Sequence, residues 1–244
     1  MQRPRVSVVM PTYNYGRFLG NAIDSWLGQT FADFELIVVD DGSTDQTPDV
    51  VASYDDERIV SIRREENSAS AVWARNDGMA VARGEFVAVA DSDDTSVPDR
   101  LASQVQFLDD NADVDILGGA LLPVDVSGQP VAAPVYKPVF RNRPEKYRYE
   151  LMRENTIYSH SSLMFRRKIL NRLGGYHFYA ACGDYEFMLR ATRYFTFCNL
   201  KKILVHVRLH TGSTTITFGE KMKKYYRHII MAQEFLWVSR QLKK

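Results

Sequence analysis

Apolar residues in the first half of the chain gather in short runs separated by amphipathic stretches. Val6–Met10, Phe34–Val39 and Glu85–Ala90 are nearly continuous in apolar side chains, the pattern of strands buried on both faces. Val6–Met10 is expected to stop at Pro11. A further strand is expected at Arg58–Ile62. Between these runs, residues 17–28 repeat Phe18, Ala22, Ile23, Trp26 and Leu27 at helical spacing. Two more helices are expected, one capped by Thr44 or Asp45 and reaching about Tyr54, the other over Ser70–Ala82. Strands and helices alternating at this interval predict parallel β-α-β units and a central sheet flanked by helices.

The second half is less regular. A helix near 99–109 is expected to lead to strands at Asp115–Gly119 and Leu121–Val126, with a turn at Ser127-Gly128. Pro130, Pro134, Pro138 and Pro144 mark residues 128–144 as an extended connection. Helical patterns return around 145–153, 166–172 and 184–194, followed by a strand at Ile203–Leu209. From Phe218 onward, Phe218, Met222, Tyr225, Ile229, Ala232 and Leu236 form the stripe of an amphipathic helix.

Three of the expected strands end in polar clusters: Pro11-Thr12-Tyr13-Asn14, Asp40-Asp41 and Asp91-Ser92-Asp93-Asp94. In a parallel sheet these ends share one edge, where open α/β folds bind ligands. The last cluster has three carboxylates in four residues. Such acids repel one another unless a positive partner lies among them, and a divalent cation completed by phosphate oxygens is one candidate. A solvated turn capping a helix that starts near Pro98 is the other. Asp40 or Asp41 suits hydrogen bonding to a base or ribose, Tyr13 suits base stacking, and Arg75 suits a phosphate. Equally, Arg75 can bridge carboxylates, Tyr13 can be core and Asp41-Gly42 can be a plain turn.

Composition narrows the field only a little. The 244 residues are 45% hydrophobic and 25% charged, with a net charge of +1, so nothing argues for nucleic acid. The charge is unevenly spread. Beyond residue 200, ten Lys and Arg stand against Glu220 and Glu234, while the first 200 residues carry a net charge of −7. The tail therefore reads as a basic amphipathic helix. It would pack on its own domain, pair with a second copy, or lie on an anionic membrane surface. Cys182 and Cys198 are the only cysteines, too few for a disulfide framework. Val6–Met10 is too short for a signal peptide, and no run reaches a membrane span. The expectation is a cytoplasmic protein, with peripheral attachment to the inner face of the plasma membrane as a variant.

Read in order, the motifs resemble the family 2 glycosyltransferases, inverting enzymes of the GT-A fold. The likeness begins with Val6–Asn14 and continues through Ser25–Phe31, Phe34–Asp45, Ala74-Arg75-Asn76, Ala82–Phe86 and Asp91–Asp94. It ends with Ser161–Arg166, Leu173–Tyr176, Gly183–Glu186 and Arg208-Leu209-His210, so that it covers roughly residues 4–215. It implies a GT-A domain with a nucleotide-sugar half at 1–125 and an acceptor half at 126–215, then the terminal helix at 216–244. It also implies a sugar-nucleotide donor, most commonly a UDP-sugar, a glycan or lipid-linked acceptor, and Mn²⁺ or Mg²⁺ as cofactor. Cell-surface polysaccharide or glycolipid synthesis is the expected setting. By the same resemblance Pro11, Thr12, Tyr13, Asp41, Arg75, Asp91 and Ser92 fall on the donor. Asp93, with Asp91 and His210, falls on the metal, and Asp184 is the base that deprotonates the acceptor. Two departures are visible: Asn67–Trp73 lacks the Gly common before Ala-Arg-Asn, and Gly183 precedes Asp184 where many members have Glu.

Two other readings remain. Asp91-Ser92-Asp93-Asp94-Thr95 also matches the Asp-x-Asp-x-Thr loop of haloacid-dehalogenase-type phosphatases, in which Asp91 would be the nucleophile. That loop normally follows the first strand of its domain, whereas three strands precede it here. A nucleotide-sugar-binding module without activity is the third reading, and the presence of both Asp93 and Asp184 weighs against it.

Overall fold

The computed structural model describes residues 3–132, 134–135, 160–178, 182–212 and 229–230. Its strands are β1 (Val6–Thr12), β2 (Phe34–Asp40), β3 (Ile59–Arg63), β4 (Phe86–Val89), β5 (Thr95–Ser96), β6 (Ile116–Val124), β7 (Met164–Arg166) and β8 (Phe197–Arg208). They join in one sheet in the order β3-β2-β1-β4-β7-β6-β8-β5. The helices are α1 (Gly16–Leu27), α2 (Thr47–Ala52), α3 (Ala71–Val81), α4 (Arg100–Asp110), α5 (Lys168–Leu173) and α6 (Gly183–Ala191), with a 3₁₀ turn at His160–Ser162.

Alternation along the central strands divides the core into two layers. Val9, Ile37, Val39, Val87 and Val89 point to one face, against Val72 and Met79 of α3 and Met188 and Leu189 of α6. Val8, Met10, Leu36, Val38 and Ala88 point to the other, against Leu19, Ile23 and Trp26 of α1 and Leu101 and Leu108 of α4. Both faces are covered, which is why β1, β2 and β4 need uninterrupted apolar runs. Each such side chain contributes about 1.5–3 kcal/mol on burial.

The chain runs outward from β1 to β2 and β3, then returns to lay β4 on the other side of β1. This reversal leaves a crevice between the C-terminal ends of β1 and β4, the site at which open α/β sheets bind ligands. β6 and β8 run parallel to each other, and β7 lies antiparallel between β4 and β6. The C-terminal end of β8 therefore arrives at the same edge as that of β4, bringing Arg208 and His210 to the acidic loop.

Several elements differ from the sequence expectations. β1 runs through Pro11 to Thr12. Val9 O accepts from Ala90 N and Thr12 O from Asp41 N, so Pro11 faces the β4 side, beyond the last rung at Val89. Its missing N–H costs the ladder nothing there. The two strands expected at 115–126 are a single strand, β6, with register shifts at Gly119/Ala120 and Ala120/Leu121. β5 and β7 carry too few residues for a periodicity to register, and α2 is shorter than expected. The connection after Gly128 is extended as far as it is described, with bridges Val124–Pro130 and Leu121–Val135. The helix expected at 145–153 and most of the basic terminal helix lie outside the described residues. Within the latter, Ile229 is fully buried in the core layer of α3 and α6, with Ile230 packed beside it. No helix among the described residues is long and apolar enough to cross a membrane.

Gly78 of α3 lies against β1. A Cβ there would come within 2.6 Å of Val9 Cγ1 and 3.1 Å of Val39 Cγ2, both on stiff, fully buried side chains. Gly→Ala in a helix ordinarily gains about 1 kcal/mol, whereas overpacking a core costs about 1–3 kcal/mol. The clash outweighs the gain, so Gly78→Ala is expected to destabilise by up to about 2 kcal/mol in chemical denaturation. A more stable variant would contradict the close α3–β1 packing.

Candidate active site

The acidic loop closes the end of β4. Asp94 is turned inward: one oxygen accepts from Arg208 N at 2.9 Å and the other from Ser161 Oγ at 2.8 Å. It pins the loop to β8 and to the 3₁₀ turn. Asp91 and Asp93 face the crevice. Asp91 Oδ1 accepts from Arg75 Nη2 at 2.8 Å, and Asp93 Oδ2 meets His210 Nε2 at 3.0 Å. The second oxygen of each has no hydrogen-bond partner among the described residues, and the Asp91 side chain keeps 35% of its surface exposed. Ser92, between them, is buried.

The electrostatics of this crowding are one-sided. Burial raises the pKa of Asp91, with repulsion from Asp93 and Asp184 adding to it and Arg75 opposing it. Asp94 is pushed well above the usual carboxylate range by burial, then by Asp93 and Asp91. The Tyr15 hydroxyl is pushed up to about 12 by burial and by the fields of Asp93 and Asp91. Behind the loop sits Arg100, fully buried over the Trp26 ring. It donates to Val89 O at 3.0 Å, Leu163 O at 3.3 Å, Ser96 Oγ at 3.1 Å and Gln104 Oε1 at 3.0 Å. Burial lowers its pKa to about 9, against the pull of Asp91 and Asp94, so the guanidinium is still a cation at neutral pH.

These residues fit a divalent cation of a particular kind. Among the described residues no three His, Cys, Asp or Glu side chains form a cage for a metal. Two carboxylates with open oxygens in an acid-rich crevice match instead a cation held by one or two protein oxygens and by substrate phosphates, as Mg²⁺ usually is. His210 is engaged differently from a free ligand. Its Nδ1 accepts from Gly212 N at 3.2 Å, so in the neutral ring the proton is on Nε2 and is donated to Asp93. Tyr15 and Phe18 enclose the ring at centroid distances of 5.5 and 5.0 Å.

The residues expected on the donor divide. Thr12 Oγ1 is buried with no partner among the described residues, and Tyr13 is 40% exposed at the crevice end of β1. Asn14, at φ 54°, latches the first two loops. Its Oδ1 accepts from Thr44 N at 2.8 Å and Asp45 N at 3.3 Å, and its own N donates to Ser43 Oγ at 2.9 Å. Asp41 is buried, with its carboxylate accepting from Ser68 N and Oγ and from Asn67 Nδ2 and paired with Arg64 at 2.9 Å. It shapes the loop before α3, the same loop that departs from the expected glycine pattern.

Arg75 lies between Asp91 and the face of Tyr176, 5.6 Å from the ring centroid. Its neighbour Asn76 clamps the Tyr176 backbone in both directions at 2.8 Å. A Cβ on Gly175 would stand 2.2 Å from Asn76 Oδ1, which accounts for the Gly-Gly-Tyr run facing Ala-Arg-Asn. The Tyr176 hydroxyl meets His160 Nε2 at 2.6 Å. Asp184 opens α6, accepting from Tyr185 N at 2.8 Å, and burial raises its pKa. The next turn is held by buried Glu186, which accepts from Arg190 at 2.8 Å, while Arg190 binds Gly175 O.

The fold thus brings Thr12, Arg75, Asp91, Asp93, Asp184 and His210 to one edge. Sequence reading missed Tyr15, Arg100, His160, Ser161 and Tyr176. Only Ser161 and Tyr176 lay within motifs, and nothing in local spacing marks Arg100 as the charge behind the loop.

The profile described as Glycosyl transferase family 2 matches residues 7–174. A putative teichuronic acid biosynthesis glycosyltransferase of Bacillus subtilis, TuaG, is 36% identical over 169 residues, which cover 68% of this chain and 64% of that protein. An uncharacterised glycosyltransferase of Methanocaldococcus jannaschii is 29% identical over 234 residues, 92% of this chain and 78% of its own. Residues 1–349 of S. aureus TarS, solved in complex with UDP-GlcNAc, superpose with a TM-score of 0.71 at 26% identity, covering 86% of this chain and 60% of that one. A Pyrobaculum calidifontis mannosyltransferase, in complex with GDP-Man and Mn²⁺, shares the fold with a TM-score of 0.63 at 22% identity, over 97% of this chain and 70% of that one. The chain thus spans about 60% of TarS residues 1–349, 37% of the longer TarS chain and 64% of TuaG. These likenesses bear out the expected GT-A architecture and set aside the phosphatase reading of Asp91.

Ala69, at φ 58°, is the left-handed residue of the loop where a glycine was expected. A left-handed L-residue costs about 1–2 kcal/mol, and the extra unfolded-state freedom of Gly returns about 0.5–1 kcal/mol. Ala69→Gly is therefore expected to stabilise the protein by about 0.5–1 kcal/mol in denaturant unfolding. A loss of stability would contradict the strained loop.

Proposed function

Because the chain belongs to glycosyl transferase family 2, we propose that it transfers a sugar from a nucleoside-diphosphate-sugar to an acceptor hydroxyl with inversion, assisted by a divalent cation. The observation that carries this reading is the convergence of Asp91, Asp93 and Asp184 about Arg75 at the β1/β4 crevice. Asp91 and Asp93 would hold the cation. When bound with the diphosphate, a hard dication acts as a Lewis acid that stabilises the charge growing on the leaving group.

Each residue then has a task of its own. Thr12 and Tyr13 offer a hydroxyl and an aromatic face to the nucleoside. Arg75, held by Asp91 and Tyr176, faces the reacting centre as a fixed positive charge. His210 donates to Asp93 and keeps its free oxygen turned to the crevice. Asp184 accepts the acceptor's proton as the hydroxyl attacks, and its raised pKa makes it a better base than an exposed aspartate. Attack from the face opposite the departing diphosphate inverts the anomeric centre. A UDP-sugar is the donor favoured by the likeness to TarS, whose structure holds UDP-GlcNAc. Synthesis of a surface polysaccharide is favoured by the likeness to TuaG.

The test is release of UDP from a panel of UDP-sugars, followed across pH. Asp184 works only when ionised. The rate is expected to fall as pH drops through its raised pKa, so the acid limb lies above the ordinary aspartate value of about 3.9. Asp184→Asn is expected to lower kcat by about 10²–10⁴-fold and to leave UDP binding unchanged. Equal loss of binding and turnover, or turnover that survives in the variant, would contradict Asp184 as the base.

A further inference from the structure

Trp73 and Phe178 form an exposed aromatic pair that the proposed chemistry does not use. Their rings are close to parallel, 12° apart, with centroids separated by 6.2 Å. The separation is wider than the roughly 3.5 Å of direct face contact, so the rings are near-parallel neighbours and not a closed stack. Trp73 is 45% exposed and Phe178 52%. What distinguishes them from the other exposed apolar side chains is that they lie together, as a near-parallel aromatic pair.

The pair is fixed to the site from both sides. Trp73 is on the first turn of α3, two residues before Arg75 and three before Asn76. Phe178 is two residues after Tyr176, whose backbone Asn76 clamps. Val72, next to Trp73, lies against Gly183, next to Asp184: a Cβ on Gly183 would stand 2.6 Å from Val72 Cγ2. The aromatic pair is thus held, through its neighbours Val72 and Tyr176, beside the two segments that carry Arg75 and Asp184.

We propose that Trp73 and Phe178 form a platform on which a pyranose ring of the acceptor stacks, positioning its hydroxyl for Asp184. An aromatic face carries partial negative charge, and the apolar face of a pyranose presents polarised C–H groups to it. Two displaced rings offer a surface wider than one side chain, held rigid by the Asn76–Tyr176 clamp. Rigid aromatics lose little conformational freedom on binding, so the contact is inexpensive to form. This assignment rests on the reading of the chain as a glycosyltransferase, but it can be tested by binding alone.

The experiment is saturation-transfer NMR on the full chain with methyl β-D-glucopyranoside, methyl β-D-galactopyranoside and methyl α-D-mannopyranoside as probes, beside calorimetric titration of UDP. The wild type is expected to transfer saturation to the ring C–H protons of at least one probe. Trp73→Ala and Phe178→Ala are each expected to reduce that signal about fivefold or more while leaving UDP binding unchanged. Trp73→Tyr keeps an aromatic face and is expected to retain most of the signal. Absence of transfer from the wild type to every probe, or transfer undiminished in both alanine variants, overturns the platform. Loss of UDP binding in Trp73→Ala with the sugar signal intact also overturns it, by assigning the pair to the donor. Absence of UDP binding in the wild type, with the sugar signal still dependent on Trp73, counts against the transferase reading and leaves the platform standing.

Discussion

Crowding of negative charge at the end of β4 is the constraint around which the rest of the site is built. Two unit charges 4 Å apart near a protein surface interact by about 4 kcal/mol, a large share of the 5–15 kcal/mol that keeps a domain folded. Asp91, Asp93 and Asp94 are tolerated because each has a positive or polar partner brought from elsewhere: Arg75 from α3, His210 from beyond β8, and the Arg208 backbone with Ser161. Arg100 adds a buried cation from behind. Burial, with the mutual repulsion of the acids behind it, still holds Asp91 and Asp94 above the ordinary carboxylate range. The open oxygens of Asp91 and Asp93 leave room on the crevice side for a further positive charge from solution.

The topology explains why these partners meet. The reversal at β1 opens the crevice, and β8, running parallel to β6, delivers its C-terminal end to the same edge. Much of this was legible beforehand, because the central strands are buried on both faces and read as unbroken apolar runs. What was not legible has local causes. Pro11 looked like a terminator because periodicity carries no information on which neighbour an N–H would face. β5 and β7 consist of two and three residues and owe their extended form to pairing with β8, β4 and β6. The shifts within β6 arise where Gly119 lies against Leu204 and Lys202, a contact invisible in one strand's sequence.

The site shows the same division. Residue types at strand ends announced Asp91, Asp93 and Thr12, and Asp184 came through motif order. Spacing could not tell an acid turned to the crevice from one turned inward. Asp94 is spent on Arg208 and Ser161, and Asp41 on Ser68, Asn67 and Arg64. The clamp of Asn76 on Tyr176, 100 residues away, gives a structural reason for two motifs that sequence reading treated as separate. It also joins α3, which carries Arg75, to the segment that precedes Asp184, so that the two halves of the proposed chemistry share one support.

The central claim is that the acidic loop takes a divalent cation jointly with a nucleoside diphosphate. Paramagnetic resonance of free Mn²⁺ reads this directly, since the sharp signal of the hydrated ion is lost on binding. Linkage requires each ligand to tighten the other by the same factor. The account predicts weak Mn²⁺ binding to the protein alone, binding tightened about tenfold or more by UDP beyond what UDP and Mn²⁺ achieve without protein, and loss of that gain in Asp93→Ala. Mn²⁺ affinity indifferent to UDP, or a gain that survives Asp93→Ala, would contradict it.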